Sequence, residues 1–585
     1  MKGAYPDLEG ILRRNIGPVV VERTKAAKFG DFTTNAPFRL ARERRKPPPA
    51  IARDLAEELE PALKGRFSVS TAGGYINFRV EEKALAHYTN TASRDPWPSL
   101  FPTGGSRILV EFISANPTGP LNVANARAGA VGDSIVRILK FLGFRAESEY
   151  YVNDAGRQVA NLGLSVLHFV APDRFPMPED GYRGDYVKEV ARDFVPEAAS
   201  LLAKGPEAIT FREAEEFGRK VAHAILKGQI ETLKRYGIEY DRFIYESEIR
   251  TSEYPERAFS ILRKANLLYF ADPEGGEASL PVPDRFSGLY EGGRYRYEGY
   301  ALLFRAKAYG DDKDRVMVRS NGEPTYFFWD SAYHLHKLER GYDYILDIFG
   351  PDHHGYVPRM KAVMRAFMEA TGRIAVYDVI ISGQVSLYSE GRRVKMSKRT
   401  GKIYTLDDLL SEVGRDAVRF FMLLRAPQTE LNFDLSLARR AVKENPVFYT
   451  QYAHARIMSL LDFAGSNGVK EKPLESLPGD ERDVAMLVQY FPYYILKSVP
   501  IPLREEVWRR MDLPAEDVGG KMEFSPNLIA DYVIETSHAY HRFYQNNRIV
   551  GSDRQGERIT LSKAVMFAVR HALNLLGVSA PERMA

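Results

Sequence analysis

The spacing of apolar and polar positions divides the chain into regions of different periodicity. Residues 47–63, PPPAIARDLAEELEPAL, open on prolines and continue with apolar residues at helical spacing. Residues 66–80, RFSVSTAGGYINFRV, alternate around a Gly-Gly pair, which predicts strand, turn, strand. Residues 1–100 thus read as a small α/β unit, and the Pro/Gly-rich WPSLFPTGG (97–105) reads as its boundary. The pattern then changes. RILVEFISANPTGP (107–120) is an apolar strand with a polar exit, and ARAGAVGDSIVRILKFLGF (126–144) is a helix with Ala and Gly on its close-packing face. RAESEYYVNDAGRQ (145–158) returns as a strand, and such a β-α-β start predicts a doubly wound parallel sheet.

Residues 160–300 are charged and rich in helix signals, then Gly/Pro-rich near 272–293, and read as an insertion between two halves of that sheet. Residues 315–341 and 342–367 bring the sheet back, and 378–402 add strands and a basic loop. After about 405 the pattern is helical to the end. TLDDLLSEVGRDAVRFFMLLR (405–425) carries a Thr-x-x-Asp cap ahead of its apolar run. The fold class is therefore multidomain α/β: a small α/β N-terminal domain (1–100), a doubly wound parallel-sheet domain with an insertion (101–390, insertion about 160–300), a loop and connecting region (391–440), and an all-α C-terminal domain (441–585).

Composition narrows the chemistry. The 585 residues include no cysteine, which excludes disulfides, thiolate zinc sites and cysteine nucleophiles. A net charge of +4 does not by itself point to nucleic acid, so local clustering has to carry that argument. The N-terminus MKGAYPDLEG has no apolar leader, and no run of about 18 apolar residues occurs, so the expected location is the cytoplasm, away from any membrane.

The strongest cluster is GRRVKMSKRTGK (391–402), with six cations and no acid. A basic run is on general grounds a solvated loop. The literal string KMSK changes that: it resembles the KMSKS loop of class I aminoacyl-tRNA synthetases. The same class places H-x-G-H where a helix opens after the first strand, so that backbone N–H groups and the helix dipole face the phosphates of ATP. Here that junction reads SANPTGPLNVANARAG (114–129), with Asn122-Val123-Ala124-Asn125 in place of the signature.

Further segments resemble one family of the class, the arginyl-tRNA synthetases: EFISANPTGPLNVANAR, YYVNDAGRQ, TYFFWDSAYHLHKLERGYDYILDIFGPDHHGYVPRMKA, ENPVFYTQYAHARI and the terminal APERM. KFGDFTTNAPFRLA and GYINFRV resemble its additional N-terminal domain. The resemblance covers nearly the whole chain and is weakest over about 160–300. It implies a Rossmann-type catalytic domain, an N-terminal domain touching the tRNA elbow and a helical anticodon-binding domain. It implies arginine–tRNA ligase activity, with ATP and Mg²⁺ accompanying the nucleotide, no structural metal, no DNA partner and a monomer.

Site residues follow from the matching positions. Lys395 and Lys398 would clamp pyrophosphate, with Asn122 and Asn125 as catalytic donors. Pro117, Thr118, Gly119, Ala124, Asp352, His353, Met396 and Ser397 would complete the ATP site. Glu111, Ser114, Asn116, Tyr326, Asp330 and Asp352 would hold arginine, whose planar, permanently charged guanidinium needs carboxylates in fixed geometry. Tyr326 and Asp330 are spaced i, i+4 and share a helix face. The tRNA contacts would be Phe32, Asn35 and Asn77 in the N-terminal domain, with Tyr449, Tyr452, Arg456, Tyr540, Arg542, Tyr544, Asn547 and Arg548 in the C-terminal helices. The departure at 122–125 leaves an alternative, a catalytically impaired tRNA-binding paralogue. An ATP-dependent nucleotidyltransferase on the same fold is a remoter one.

Overall fold

The computed structural model describes residues 3–394, 404–516 and 522–584. Lys395, Met396, Ser397 and Lys398 lie outside the described residues.

At the N-terminus, strands Val21–Arg23, Phe32–Thr34, Tyr75–Val80 and Phe67–Ala72 pair in that order, all antiparallel. The helix Pro48–Leu63 packs on them through Ile51, Leu55 and Leu59. This unit is not held by a linker alone. Tyr5 and Phe32 meet Tyr493 and Tyr490 of the C-terminal helix Asp480–Lys497 edge-on, at 5.2 and 5.4 Å. The fully buried Arg13 pairs with Glu505 at 2.7 Å. The segment 97–105 also differs from a loose boundary, because Trp97 is buried against Phe491 at 5.4 Å.

The central sheet has five parallel strands in the order Val376–Ile381, Tyr344–Phe349, Arg107–Phe112, Arg145–Val152 and Arg242–Tyr245. The chain moves outward from Arg107–Phe112 in one direction, then returns and continues on its other side. That reversal is the switch point at which open parallel sheets bind ligands, beyond the carboxyl ends of the strands. The helix Val123–Phe141 lies close against the first strand, and its glycines explain how. A Cβ at Gly132 would stand 2.2 Å from Phe112 Cγ, and one at Gly129 2.9 Å from Ile113 Cδ1.

Three expectations need correction. The sheet's edge strand Arg242–Tyr245 falls inside 160–300, so that stretch is not wholly an insertion. It holds a helical excursion, Arg157–Val170 to Phe211–Arg235, with its own core, and the start of a second, antiparallel excursion. Arg315–Val318 belongs to that antiparallel sheet and not to the central one. Apolar alternation cannot tell one sheet from the other. Finally, the region after 405 is not purely helical: Leu431–Asp434 pairs in parallel with Val385–Ser389.

Candidate active site at the switch point

The first strand ends in a strained turn. Ile113 and Ser114 have φ of 67° and 40°, and the Ser114 N–H bonds the Phe112 carbonyl at 3.0 Å. A β-branched residue in this region costs about 1–3 kcal/mol and persists only where its surroundings fix it. They do so here. The Ser114 hydroxyl donates to Glu111 at 2.7 Å and accepts the Tyr151 N–H at 3.0 Å, while the Tyr240 hydroxyl donates to the Phe112 carbonyl at 2.9 Å.

Asn122 and Asn125 then form a reciprocal helix cap. The Asn122 side-chain oxygen accepts the N–H groups of Ala124 and Asn125 at 2.9 and 3.2 Å, and the Asn125 oxygen accepts the N–H of Asn122 at 2.9 Å. This changes the expectation drawn from the helix terminus. The N–H groups of Ala124 and Asn125 are already satisfied by a side chain, so the donors left at the helix start are the Val123 N–H and the two Nδ2 amides, for which no described residue is an acceptor. Ala124 is exposed in the same first turn. Asn122 also forms a β-bridge with Thr405, and the Leu406 N–H bonds the Leu121 carbonyl at 2.8 Å. Thr405 caps the next helix with Asp408, as its sequence predicts. On the other flank of the basic loop, the Val394 N–H bonds the Leu387 carbonyl at 2.9 Å.

Beneath the turn lies a row of carboxylates. Parallel register places Glu111 between Asp347 and Glu149 on neighbouring strands. Adjacent like charges repel, so the helix Tyr326–Glu339 turns a polar stripe toward them. The fully buried Lys337 bonds Glu111 and, at 2.7 Å, Asp347; Tyr333 reaches Glu111 and Glu149 at 2.9 and 2.7 Å; Arg340 pairs with Glu149. Burial alone would raise the Asp347 carboxyl, but Lys337 and His334 outweigh it and hold it below the usual range. Glu111 and Ser114 are thus tied into the floor of the site rather than standing open.

At the free end of the same helix Tyr326 is 47% exposed, and one turn on Asp330 accepts the Tyr356 hydroxyl. Burial raises the Asp330 carboxyl above its ordinary value, with Tyr356 opposing. Sequence reasoning missed a second acid here, Glu246, which lies just after the edge strand inside 160–300. Its only signal in the sequence is a Glu after a Phe-Ile-Tyr strand. Glu246 is 2% exposed, and burial pushes its carboxyl up to about 7 against the pull of Arg250. Asp330 also raises it. Near both acids lies the buried Tyr151, whose hydroxyl has no partner among the described residues and whose pKa is raised by burial, then by Glu246 and Asp330. Asn116 bonds Gln158 at 2.8 Å, and Asp352, His353 and His354 are exposed in the turn Pro351–Tyr356 at the end of the neighbouring strand.

The expected tRNA contacts divide by burial. Arg456 lies over the Tyr452 and Tyr544 rings at 4.5 and 4.8 Å, beside a cavity of about 360 Å³ that Phe463 and Met584 also line. The Tyr449 ring meets those of His538 and His541 in tilted contacts at 4.5 and 4.3 Å. Arg542, Arg548 and Asn35 are exposed, while Asn547 is held by Arg558 at 3.2 Å. Phe32, Asn77 and Tyr540 are interior and correct the expectation of contact: Phe32 and Tyr540 are 0% exposed, Asn77 is 4% exposed, and Tyr540 bonds Ser562 at 3.0 Å. His454, on the same helix as Tyr452, is interior too.

Known proteins resemble the chain from end to end. Residues 450–584 match the family model of the DALR anticodon binding domain, and residues 8–80 that of the arginyl tRNA synthetase N terminal domain. The chain is 36% identical to an arginine–tRNA ligase of Desulforudis audaxviator, covering 100% of this chain and 97% of that one. It is 34% identical to one of Citrifermentans bemidjiense, with 100% and 98% covered. In fold it resembles the arginyl-tRNA synthetase of Thermus thermophilus, with a TM-score of 0.72 at 23% identity and 99% of both chains covered.

Proposed function

The chain belongs to the arginine–tRNA ligase family, and from that premise we propose how its own residues divide the work. The reaction has two steps. The arginine carboxylate attacks the α-phosphorus of ATP, giving arginyl-adenylate and releasing pyrophosphate. A hydroxyl of the 3′-terminal adenosine of tRNA then attacks the arginyl carbonyl, and AMP leaves. No covalent enzyme intermediate is needed, so catalysis consists of positioning and charge stabilisation. Full-length kinship to arginine–tRNA ligases supports the enzyme reading and not the alternative of a non-catalytic paralogue.

The observation that carries the residue assignment is the Asn122–Thr405 bridge. It ties the exit of the basic loop to the start of the signature helix; in this reading Lys395 and Lys398 of that loop would act together with the donors Asn122 and Asn125. These four, with Thr118, Gly119 and His353, would face the polyphosphate, which arrives with its Mg²⁺. Asn116 and Asp352 would orient the ammonium and carboxylate of arginine. The guanidinium would lie between Asp330 and Glu246, with Tyr326 at the mouth and the Tyr151 hydroxyl, which has no partner among the described residues, as a further polar contact. Glu111 acts from below, as the fixed charge that sets the strand end. The Tyr452–Arg456–Tyr544 group would stack unpaired bases of the anticodon loop. Release of pyrophosphate that requires arginine together with ATP tests this reading; release unaffected by omitting arginine contradicts it.

A further inference from the structure

The turn that carries Asn116 contains two X-Pro peptides, Asn116-Pro117 and Gly119-Pro120. Neither has an N–H, so the only hydrogen-bonding handle on each is its carbonyl. One side chain holds both. Gln229, 2% exposed on the long helix Phe211–Arg235, donates from Nε2 to the Asn116 carbonyl at 3.2 Å and to the Gly119 carbonyl at 2.7 Å. Its own oxygen accepts the Tyr150 hydroxyl at 3.1 Å, and Tyr150 also reaches the Ala115 carbonyl at 2.9 Å. The Thr118 carbonyl accepts the Tyr186 hydroxyl at 2.7 Å. Tyr186 packs so close that a Cβ at Gly119 would stand 3.2 Å from its hydroxyl oxygen.

Every carbonyl of the turn except that of Pro117 is therefore held by a side chain, and Gln229 and Tyr186 both come from the helical excursion. A trans peptide is planar, with N–H opposed to C=O. Fixing the Ala115 and Thr118 carbonyls thus fixes the N–H groups of Asn116 and Gly119 on the opposite side, and no described residue accepts from either. Glutamine fits this position because a neutral amide offers two donors and one acceptor, which a buried carboxylate or ammonium does not. The same helix also anchors the neighbourhood, because Thr232 and Arg235 bond Asp407 and Tyr236 bonds the Ala126 carbonyl at 2.8 Å.

We propose that Gln229 is the positioning residue of the Ala115–Gly119 turn, with Tyr186 as its second point of hold. In this role the helical excursion aligns Asn116 and the two free N–H groups on the reacting carboxylate and α-phosphate. The kinetic part rests on the ligase reading above; the structural part does not.

The test uses the full-length protein and the variants Gln229→Glu, which keeps the shape but loses the donors, Gln229→Met, and Tyr186→Phe, which removes one hydroxyl. For both Gln229 variants, exchange of the hydrogen-bonded amides that flank the turn, Ser114 and Asn122, is expected to accelerate at least ten-fold. KM for arginine is expected to rise at least ten-fold while Kd for tRNA stays within two-fold. Tyr186→Phe is expected to give smaller changes of the same pattern. A merely structural residue would reduce the active fraction and lower apparent kcat without moving KM. Unchanged exchange and unchanged KM in both Gln229 variants would overturn the proposal. If a Gln229 variant fails to fold, Tyr186→Phe decides by the same two readouts. Failure of the wild type to charge arginine would count against the ligase reading, while the exchange data would still decide the clamp.

Discussion

Asn122 and Asn125 cap one another: each side-chain oxygen accepts the other's backbone N–H, at 3.2 and 2.9 Å. The two positions where the class carries histidines are thus used to close the helix start. The amide Nδ2 groups remain as neutral donors, which the proposed reading assigns to the phosphates. Replacing both by histidine would remove the accepting oxygens and open the cap. The expected outcome for Asn122→His/Asn125→His is a loss of about 1–2 kcal/mol in denaturant unfolding, with no gain in kcat. A more active and equally stable double variant would contradict this role.

In the proposed reading Glu246 makes arginine use depend on pH. Its carboxyl is raised to about 7 by burial, so below that pH it is largely protonated and presents no charge to the guanidinium. kcat/KM for arginine should therefore rise between about pH 6 and 8 and then level off, and Glu246→Gln should lower it and flatten the rise. The sign for stability is opposite. A carboxyl whose folded pKa is raised binds its proton more tightly in the folded state. Its contribution to stability accordingly falls as pH increases from the ordinary carboxylate range through about 7. Glu246→Gln should gain stability relative to wild type at about pH 8 and less at about pH 5. Equal differences at both pH values would contradict the assignment.

Lys337 neutralises the carboxylate row from a fully buried position. Removing one partner of such a pair leaves uncompensated charge and costs about 3–5 kcal/mol. Lys337→Met is expected to fall in that range, and Lys337→Met/Asp347→Asn to recover part of the loss. Strict additivity of the two substitutions in denaturant titrations would rule out the coupling.

Tyr452, at the surface, and Tyr540, in the interior, separate proposed contact from core. Base stacking on an aromatic side chain is worth about 1–3 kcal/mol. Tyr452→Ala should therefore weaken tRNA binding roughly ten-fold or more, with kcat at saturating tRNA little changed. Tyr540→Phe, which loses only the bond to Ser562, should leave tRNA affinity unaltered. Filter binding at fixed salt checks both, and a larger effect at Tyr540 than at Tyr452 would reverse the assignment.

How much of the fold and the site was legible in the sequence depended on what each signal encodes. The Asn-Pro-Thr-Gly-Pro turn, the small-residue helix and the Tyr326/Asp330 face were readable, because local spacing and glycine placement determine them. The reciprocal cap was also legible in principle, since Asn at an N-cap with Asn three residues on is a capping pattern. Glu246 was not readable, because the excursions around it hide the edge strand that carries it to the site. The polar stripe Asp330, Tyr333, His334 and Lys337 repeats at i, i+3, i+4 and i+7, but only parallel register shows that it faces a row of acids. Phe32, Asn77 and Tyr540 were misplaced because a matching letter conveys no exposure.

An arginine–tRNA ligase that works with asparagines at its signature must charge tRNA with arginine. The direct assay is charging of total tRNA by the purified protein, with ATP and Mg²⁺, using lysine and glutamine as control amino acids and Lys398→Ala as control protein. Arginine-specific charging is expected, falling at least a hundred-fold in Lys398→Ala. Binding of tRNA with no charging of arginine would contradict the ligase reading.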